Sequence, residues 1–147
     1  MFKPKKIPLK TFEYVYNRVP RLCVDLVIKT SEGVVLSKRD IPPSKGKWHI
    51  PGGTILFKEK LEDAIKRIAL EETGLKLEII DTIGTIEFFI PTVIGHAVSI
   101  VHLCKPVSGK LRGSFQGKEI KYFKSVPPNT IKEQAKFLFE KNLIMGD

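Results

Sequence analysis

The chain has no apolar run approaching the roughly 18 residues that a membrane-crossing helix requires, so no transmembrane helix is expected. Its first ten residues, MFKPKKIPLK, carry basic side chains with no apolar stretch behind them, so they do not read as a signal peptide. The expected location is therefore the cytoplasm. Cysteine is scarce: the two residues, Cys23 and Cys104, sit in apolar, strand-like segments with no CxxC and no Cys/His clustering. A buried, reduced pair fits this pattern better than a disulfide or a zinc site. Internal repeats, low-complexity tracts and linker-like breaks are also missing, which leaves one domain over residues 1–147.

Basic residues are in surplus. Twenty-five Lys and Arg face sixteen Asp and Glu, a formal net charge of +9, and this favours anionic partners such as nucleotides, nucleic acids or phosphorylated metabolites. Lys3, Lys5, Lys6 and Lys10 cluster at the start of the chain, and Lys105, Lys110, Arg112, Lys118 and Lys121 are spread along a later stretch. A nucleic-acid stripe would interleave aromatics, and only Phe115 and Tyr122 lie near these positions. Nucleic acid is the weaker of these readings, charge alone does not choose among the others, and no membrane partner is expected.

Along the chain, Lys10 to Tyr16 reads as a short helix or strand, Leu22 to Ile28 (LCVDLVI) as a buried strand, and Val34 to Lys38 as its hairpin partner across a turn at Ser31 to Gly33. A Pro- and Gly-dense loop, IPPSKGKW, leads into HIPGG. Lys60 to Thr73 is strongly helical and is closed by Gly74 as a C-terminal cap. Leu75 to Ile80, Ile83 to Ile90, Ala97 to Cys104 and Ile120 to Val126 read as further strands. Thr130 and Glu133 have the spacing of a capping box at the start of a second helix. Strands before, between and after two helices predict an α/β sandwich with a mixed sheet. Trp48 reads as a core residue.

The central helix carries the chemistry. At about 100° per residue, Leu61, Ala64, Ile65 and Ile68 fall on one stripe, and Glu71 and Glu72 flank the end of that buried face. Opposite a loop with Gly52 and Gly53, two carboxylates there could hold a hard divalent cation that keeps other positions for water and substrate phosphates. Taken alone, the pair reads more simply as a solvated helix end.

The wider spacing changes that balance. From Gly53 the sequence runs GTILFKEKLEDAIKRIALEETGL: Gly53, five residues, Glu59, seven residues, Arg67, then Glu71, Glu72, Gly74 and Leu75. This resembles the Nudix box, with Ala69 as a small apolar member and with one departure, Ile68 in place of a Glu. The resemblance implies an α/β/α sandwich with a central mixed sheet that hydrolyses a nucleoside diphosphate linked to another group, using Mg²⁺ or Mn²⁺. It further implies Glu71, Glu72 and the Gly52 carbonyl as metal ligands, with Arg67 orienting carboxylates such as Glu59.

An apolar residue at the Ile68 position is similar to one branch, the GDP-mannose mannosyl hydrolases, and the likeness continues through the approach to LCVDLVI, the hairpin and the strand beginning at His96. That branch attacks the anomeric carbon and releases GDP. By this resemblance Asp25 and Arg39 serve the substrate and leaving group, Gln116 joins the metal ligands, and the protein forms a homodimer. The branch's basic His would follow Gln116, but Gly117 stands there. Glu119, His96 and His102 are the candidate replacements. His49 and His96 read equally well as packing or hydrogen-bonding residues, and His102 reads as structural. The resulting expectation names Arg39, Arg67, Glu71 and Glu119 for catalysis, Asp25, Arg39 and His96 for substrate, and Gly52, Glu71, Glu72 and Gln116 for metal. Base and sugar preference are expected to lie on loops such as Phe89 to Ile94. Three functions follow from this reading: a nucleotide-sugar hydrolase, a pyrophosphohydrolase of another nucleoside diphosphate derivative, and a non-catalytic nucleotide-binding module.

Overall fold

The structure, a computed structural model, describes residues 3–91 and 95–145. Its elements run α1 (Leu9–Tyr16), β1 (Arg21–Thr30), β2 (Gly33–Lys38), β3 (Trp48–His49), β4 (Gly52–Thr54), α2 (Leu61–Thr73), β5 (Leu75–Phe89), β6 (His96–Gly109), β7 (Glu119–Phe123) and α3 (Lys132–Glu140). The strands form a mixed sheet in the order β3-β2-β1-β6-β5, with β4 added to β1 and β7 to β2. Among the described strands, β1 and β6 run parallel, matched from Arg21 with Ala97 to Ile28 with Cys104, and the other strand pairs are antiparallel.

The six residues Cys23 to Ile28 are all buried, as a strand covered on both faces requires. Val24, Leu26 and Ile28 pack with Val35, Ile65, Ile68 and Ala69 under α2. Cys23 and Val27 pack on the opposite face with Leu36, Trp48, Phe137 and Leu138 under α3. The sheet is therefore the middle layer of the expected α/β/α sandwich. Cys23 and Cys104 are both buried and free, and they belong to different apolar layers. No helix among the described residues is long and apolar enough to cross a membrane.

The helix α2 begins with Glu62 and Asp63 in its first turn, where the exposed amides favour negative charge. It ends at Gly74, whose φ of 73° is left-handed. Ala64, Ile65, Ile68 and Ala69 are buried, whereas Leu61 stays 37% exposed, so the apolar stripe starts one turn later than its spacing implies.

Two further expectations change. Leu75 to Ile80 and Ile83 to Ile90 are one strand, β5, because register shifts at Lys76/Leu77, Ile79/Asp81 and Thr82/Gly84 absorb the polar interruption without breaking the pairing to β6. The capping box at Thr130 does not form. Asn129 and Ile131 exchange backbone hydrogen bonds with Trp48, which holds this segment extended, and the Thr130 hydroxyl donates to the Pro127 carbonyl over 2.7 Å. The helix can start only afterwards, at Lys132.

Candidate functional site

The HIPGG loop enters the sheet beside β1, where Gly52 pairs with Asp25. A Cβ at position 52 would collide with the Asp25 carboxylate and the Val24 carbonyl, so only glycine allows so close an approach. Asp25 is buried, and Gln134 Nε2 of α3 donates to its Oδ2 over 3.1 Å. Burial pushes this carboxyl up to about 7, while hydrogen bonds from Gln134 and Ser99 and the charge of Arg21 pull the other way. The same Gln134 side chain accepts a hydrogen bond from the Ile50 amide over 2.8 Å, so α3 holds both the carboxylate and the loop.

Arg67 ties the opposite side of the loop to α2. Its Nε and Nη2 donate to the two oxygens of Glu59 over 2.8 and 3.0 Å, Nη2 also donates to the Thr54 carbonyl over 2.9 Å, and Nη1 reaches Glu71 Oε2 at 3.3 Å. This is the planar, forked geometry that Lys cannot reproduce. The hydrogen bond from Arg67 holds the Glu59 carboxyl below the usual range.

The carboxylate of Glu72 accepts from the Ser114 hydroxyl over 2.8 Å, which docks the loop containing Gln116 against the end of α2. Burial raises the Glu72 pKa and the neighbouring Glu71 charge adds to it, against the pull of Ser114, Lys6 and Arg39. Arg39 thus lies within electrostatic reach of Glu72. Its Nε donates to the Pro43 carbonyl over 2.6 Å, and burial and the Arg21 charge lower its pKa. Ile68 does not share this polar rim. It is 1% exposed and packs in the core beneath Gly53.

No three His, Cys, Asp or Glu side chains cluster among the described residues. Two mutually repelling carboxylates beside a glycine-rich backbone loop fit Mg²⁺ or Mn²⁺, which retain water and phosphate oxygens, and do not fit a structural zinc site.

The NUDIX domain family matches residues 19–145. The chain belongs to the Nudix family. Among its relatives, the ADP-ribose pyrophosphatase of Methanocaldococcus jannaschii is 31% identical over 119 residues, 81% of this chain and 69% of that protein. The low-salt glycan biosynthesis protein Agl8 of Haloferax volcanii is 41% identical over 87 residues, 59% of this chain, and the match spans only 56% of that protein's length. In fold, the chain resembles the MutT NUDIX hydrolase of Burkholderia pseudomallei with a TM-score of 0.75 at 24% identity, over 83% of this chain and 98% of that one.

Within this Nudix frame the structure brings Gly52, Asp25, Arg39, Glu59, Arg67, Glu71 and Glu72 to one end of the sheet, and the Gln116 loop joins them through Ser114. Gln116 itself is exposed, and its carbonyl accepts from the Asp40 amide over 2.8 Å. Gly117 is buried against Ser37: a Cβ there would strike the Ser37 hydroxyl and lie 2.9 Å from the Lys38 carbonyl. The position that would follow Gln116 with a histidine has no room for a side chain.

Glu119 is exposed on β7, paired in register with Lys38, and its ion pair is with Lys121 at 3.7 Å. His96 makes no hydrogen bond or ion pair with these carboxylates among the described residues. It stacks on Phe89 with 4.6 Å between ring centroids and lines an open cleft of about 520 Å³ with Tyr16, Arg18, Pro20 and Ile90. Of the expected recognition loop, residues 92–94 lie outside the described residues. His102 is buried with Nδ1 3.2 Å from the Thr82 hydroxyl, a structural position.

Sequence reasoning did not single out Ser114, Gln134 or Lys6 as partners of Glu72, the HIPGG loop and Glu71. Their partners lie 42, 84 and 65 residues away, so no local spacing could reveal them.

Proposed function

We propose that this protein is a Mg²⁺-dependent Nudix hydrolase of nucleoside diphosphate sugars, acting in the manner of the GDP-mannose hydrolase branch. One observation carries this reading: Glu71 and Glu72 are held on a rim with Arg67 and Arg39, while Ile68 at the remaining acidic position of the box is sealed in the core. A rim with two carboxylates supports fewer metal ions than one with three, which suits chemistry directed at the sugar carbon with the diphosphate departing intact. The glycan biosynthesis relative agrees with a sugar-linked substrate.

In this proposal Glu71, Glu72, the Gly52 carbonyl and Gln116 hold Mg²⁺, and Mn²⁺ substitutes for it. Once bound, the ion supplies positive charge against the diphosphate. Arg67 fixes Glu59 and Glu71. Arg39 faces the leaving diphosphate from the end of β2, where a guanidinium offers two parallel donors. Asp25 supports Gly52 from behind and contributes to the substrate pocket. Glu119, opposite Lys38 and so beside the strand end that leads to Arg39, takes the proton from water. His96 and Phe89 offer a stacked aromatic wall to the substrate.

A second reading, pyrophosphate cleavage, is favoured by the ADP-ribose pyrophosphatase relative. Hydrolysis in ¹⁸O-labelled water with Mg²⁺ and GDP-mannose, GDP-glucose, ADP-ribose or dGTP separates the two. The expected result is label on the free sugar. Label on phosphate would establish pyrophosphate cleavage instead, and no turnover of any of the four would leave a binding module.

A further inference from the structure

The segment before α1 meets the carboxylates through Lys6. Lys6 Nζ lies 3.1 Å from Glu71 Oε2, the same oxygen that Arg67 approaches at 3.3 Å. Several other lysine ion pairs among the described residues join near neighbours: Lys66 with Glu62 and Lys136 with Glu140 are one helical turn apart, Lys121 and Glu119 share β7, and Lys105 and Glu78 face each other across β5 and β6. The Lys6 contact spans 65 residues of sequence and ends on the pair to which the metal role is assigned. Pro4 and Pro8 bracket the lysine, Pro8 is extended with ψ of 149°, and its carbonyl accepts from the Phe12 amide at the start of α1. The Lys6 position is thereby tied to α1 by a short, stiff lead.

An exposed ion pair by itself contributes little to stability. The location matters more than the energy. Glu72 also feels the Lys6 charge, so one ammonium serves both carboxylates. It stands where positive charge is needed and where a divalent ion and a diphosphate would meet.

We propose that Lys6 is a member of the active site: its ammonium neutralises Glu71 and Glu72 when no metal is bound and turns to the substrate diphosphate when a divalent ion takes its place. A flexible lysine suits this exchange, because its compact charge can swing on its stem while Arg67 stays fixed by Glu59 and Thr54. The inference rests on the metal-dependent reading above.

The test uses the full chain and two probes: Mn²⁺ alone, followed by the electron paramagnetic resonance of the free ion, and GDP in the presence of Mg²⁺, followed by calorimetry. Replacing the ammonium in Lys6→Met is expected to tighten Mn²⁺ binding about three- to tenfold and to weaken GDP binding by a similar factor, while Lys6→Arg stays near the wild-type values. Unchanged Mn²⁺ affinity or unchanged GDP affinity in Lys6→Met overturns the proposal. Glu72→Gln tells the two failures apart. If it leaves Mn²⁺ binding intact, the metal reading itself falls; if it weakens Mn²⁺ and Lys6→Met does not alter it, only the assignment of Lys6 falls.

Discussion

Ile68 fills the space beneath Gly53, where a Cβ would lie 3.2 Å from both its Cδ1 and Cγ1 atoms. The glycine of the loop and the isoleucine of the helix are thus matched to each other. A carboxylate at position 68 would enter an apolar layer formed by Val24, Leu26, Ile65 and Ala69, with no partner for its charge.

Ile68→Glu should therefore lower stability by about 3–5 kcal/mol, and it should not raise turnover even though it restores the acidic pattern of the box. Ile68→Val should cost about 1 kcal/mol and keep activity. Urea unfolding measures both. A stable Ile68→Glu with faster hydrolysis would show that the side chain turns outward to the rim.

Position 117 gives a second steric forecast. Gly117→Ala should cost about 1–3 kcal/mol, since the methyl group must displace the Ser37 hydroxyl or the Lys38 carbonyl. Gly117→His should be less stable still and no faster. Thermal unfolding and kcat are the readouts, and a gain in kcat with unchanged Tm would mean that the loop moves aside for the imidazole.

Arg67→Lys keeps the charge but loses the fork. Glu59, whose side chain is only 6% exposed, would lose a paired set of hydrogen bonds, and the Thr54 carbonyl would lose its donor. The expected cost is about 1–3 kcal/mol, with weaker Mn²⁺ binding because Glu71 is no longer oriented. Equal Tm and equal Mn²⁺ affinity would reduce Arg67 to a point charge.

The His49 side chain supplies a pH prediction. Its Nδ1–H donates to the Ile50 carbonyl over 2.9 Å, its Nε2 is buried without a partner, and burial pushes its pKa down to about 4 from 6.5. A depressed pKa means that the unfolded chain takes up the proton first. The stability linked to neutral His49 is complete above about pH 6.5 and is lost as pH falls to about 4. Relative to His49→Phe, the wild type should lose up to about 3 kcal/mol across that window, as read by urea unfolding at a series of pH values. Parallel profiles for the two proteins would place the proton elsewhere.

The sequence made the box legible because its residues answer to one another over short spans: Gly53, Glu59, Arg67, Glu71 and Gly74 all belong to one loop and one helix. Period and spacing could also assign β1, because a strand buried on both faces must be apolar throughout. Legibility failed where long-range pairing decides. Thr130 has capping chemistry, yet the backbone of Trp48 claims its neighbours. Lys6 stands out in the sequence only as one of a basic cluster, because its carboxylate partner lies on another element. The polar residues near Asp81 divide two expected strands, and in the fold they are bulges within one strand because β6 continues alongside.

Gln134 accepts from the amide of Ile50, 84 residues earlier, and donates to Asp25. The HIPGG loop, close in sequence to the box, is therefore locked by a helix that follows it far downstream. A chain made from its N-terminus reaches the box and β1 before α3, so the loop is synthesised before it can be held, and its final position cannot be ascribed to the box alone.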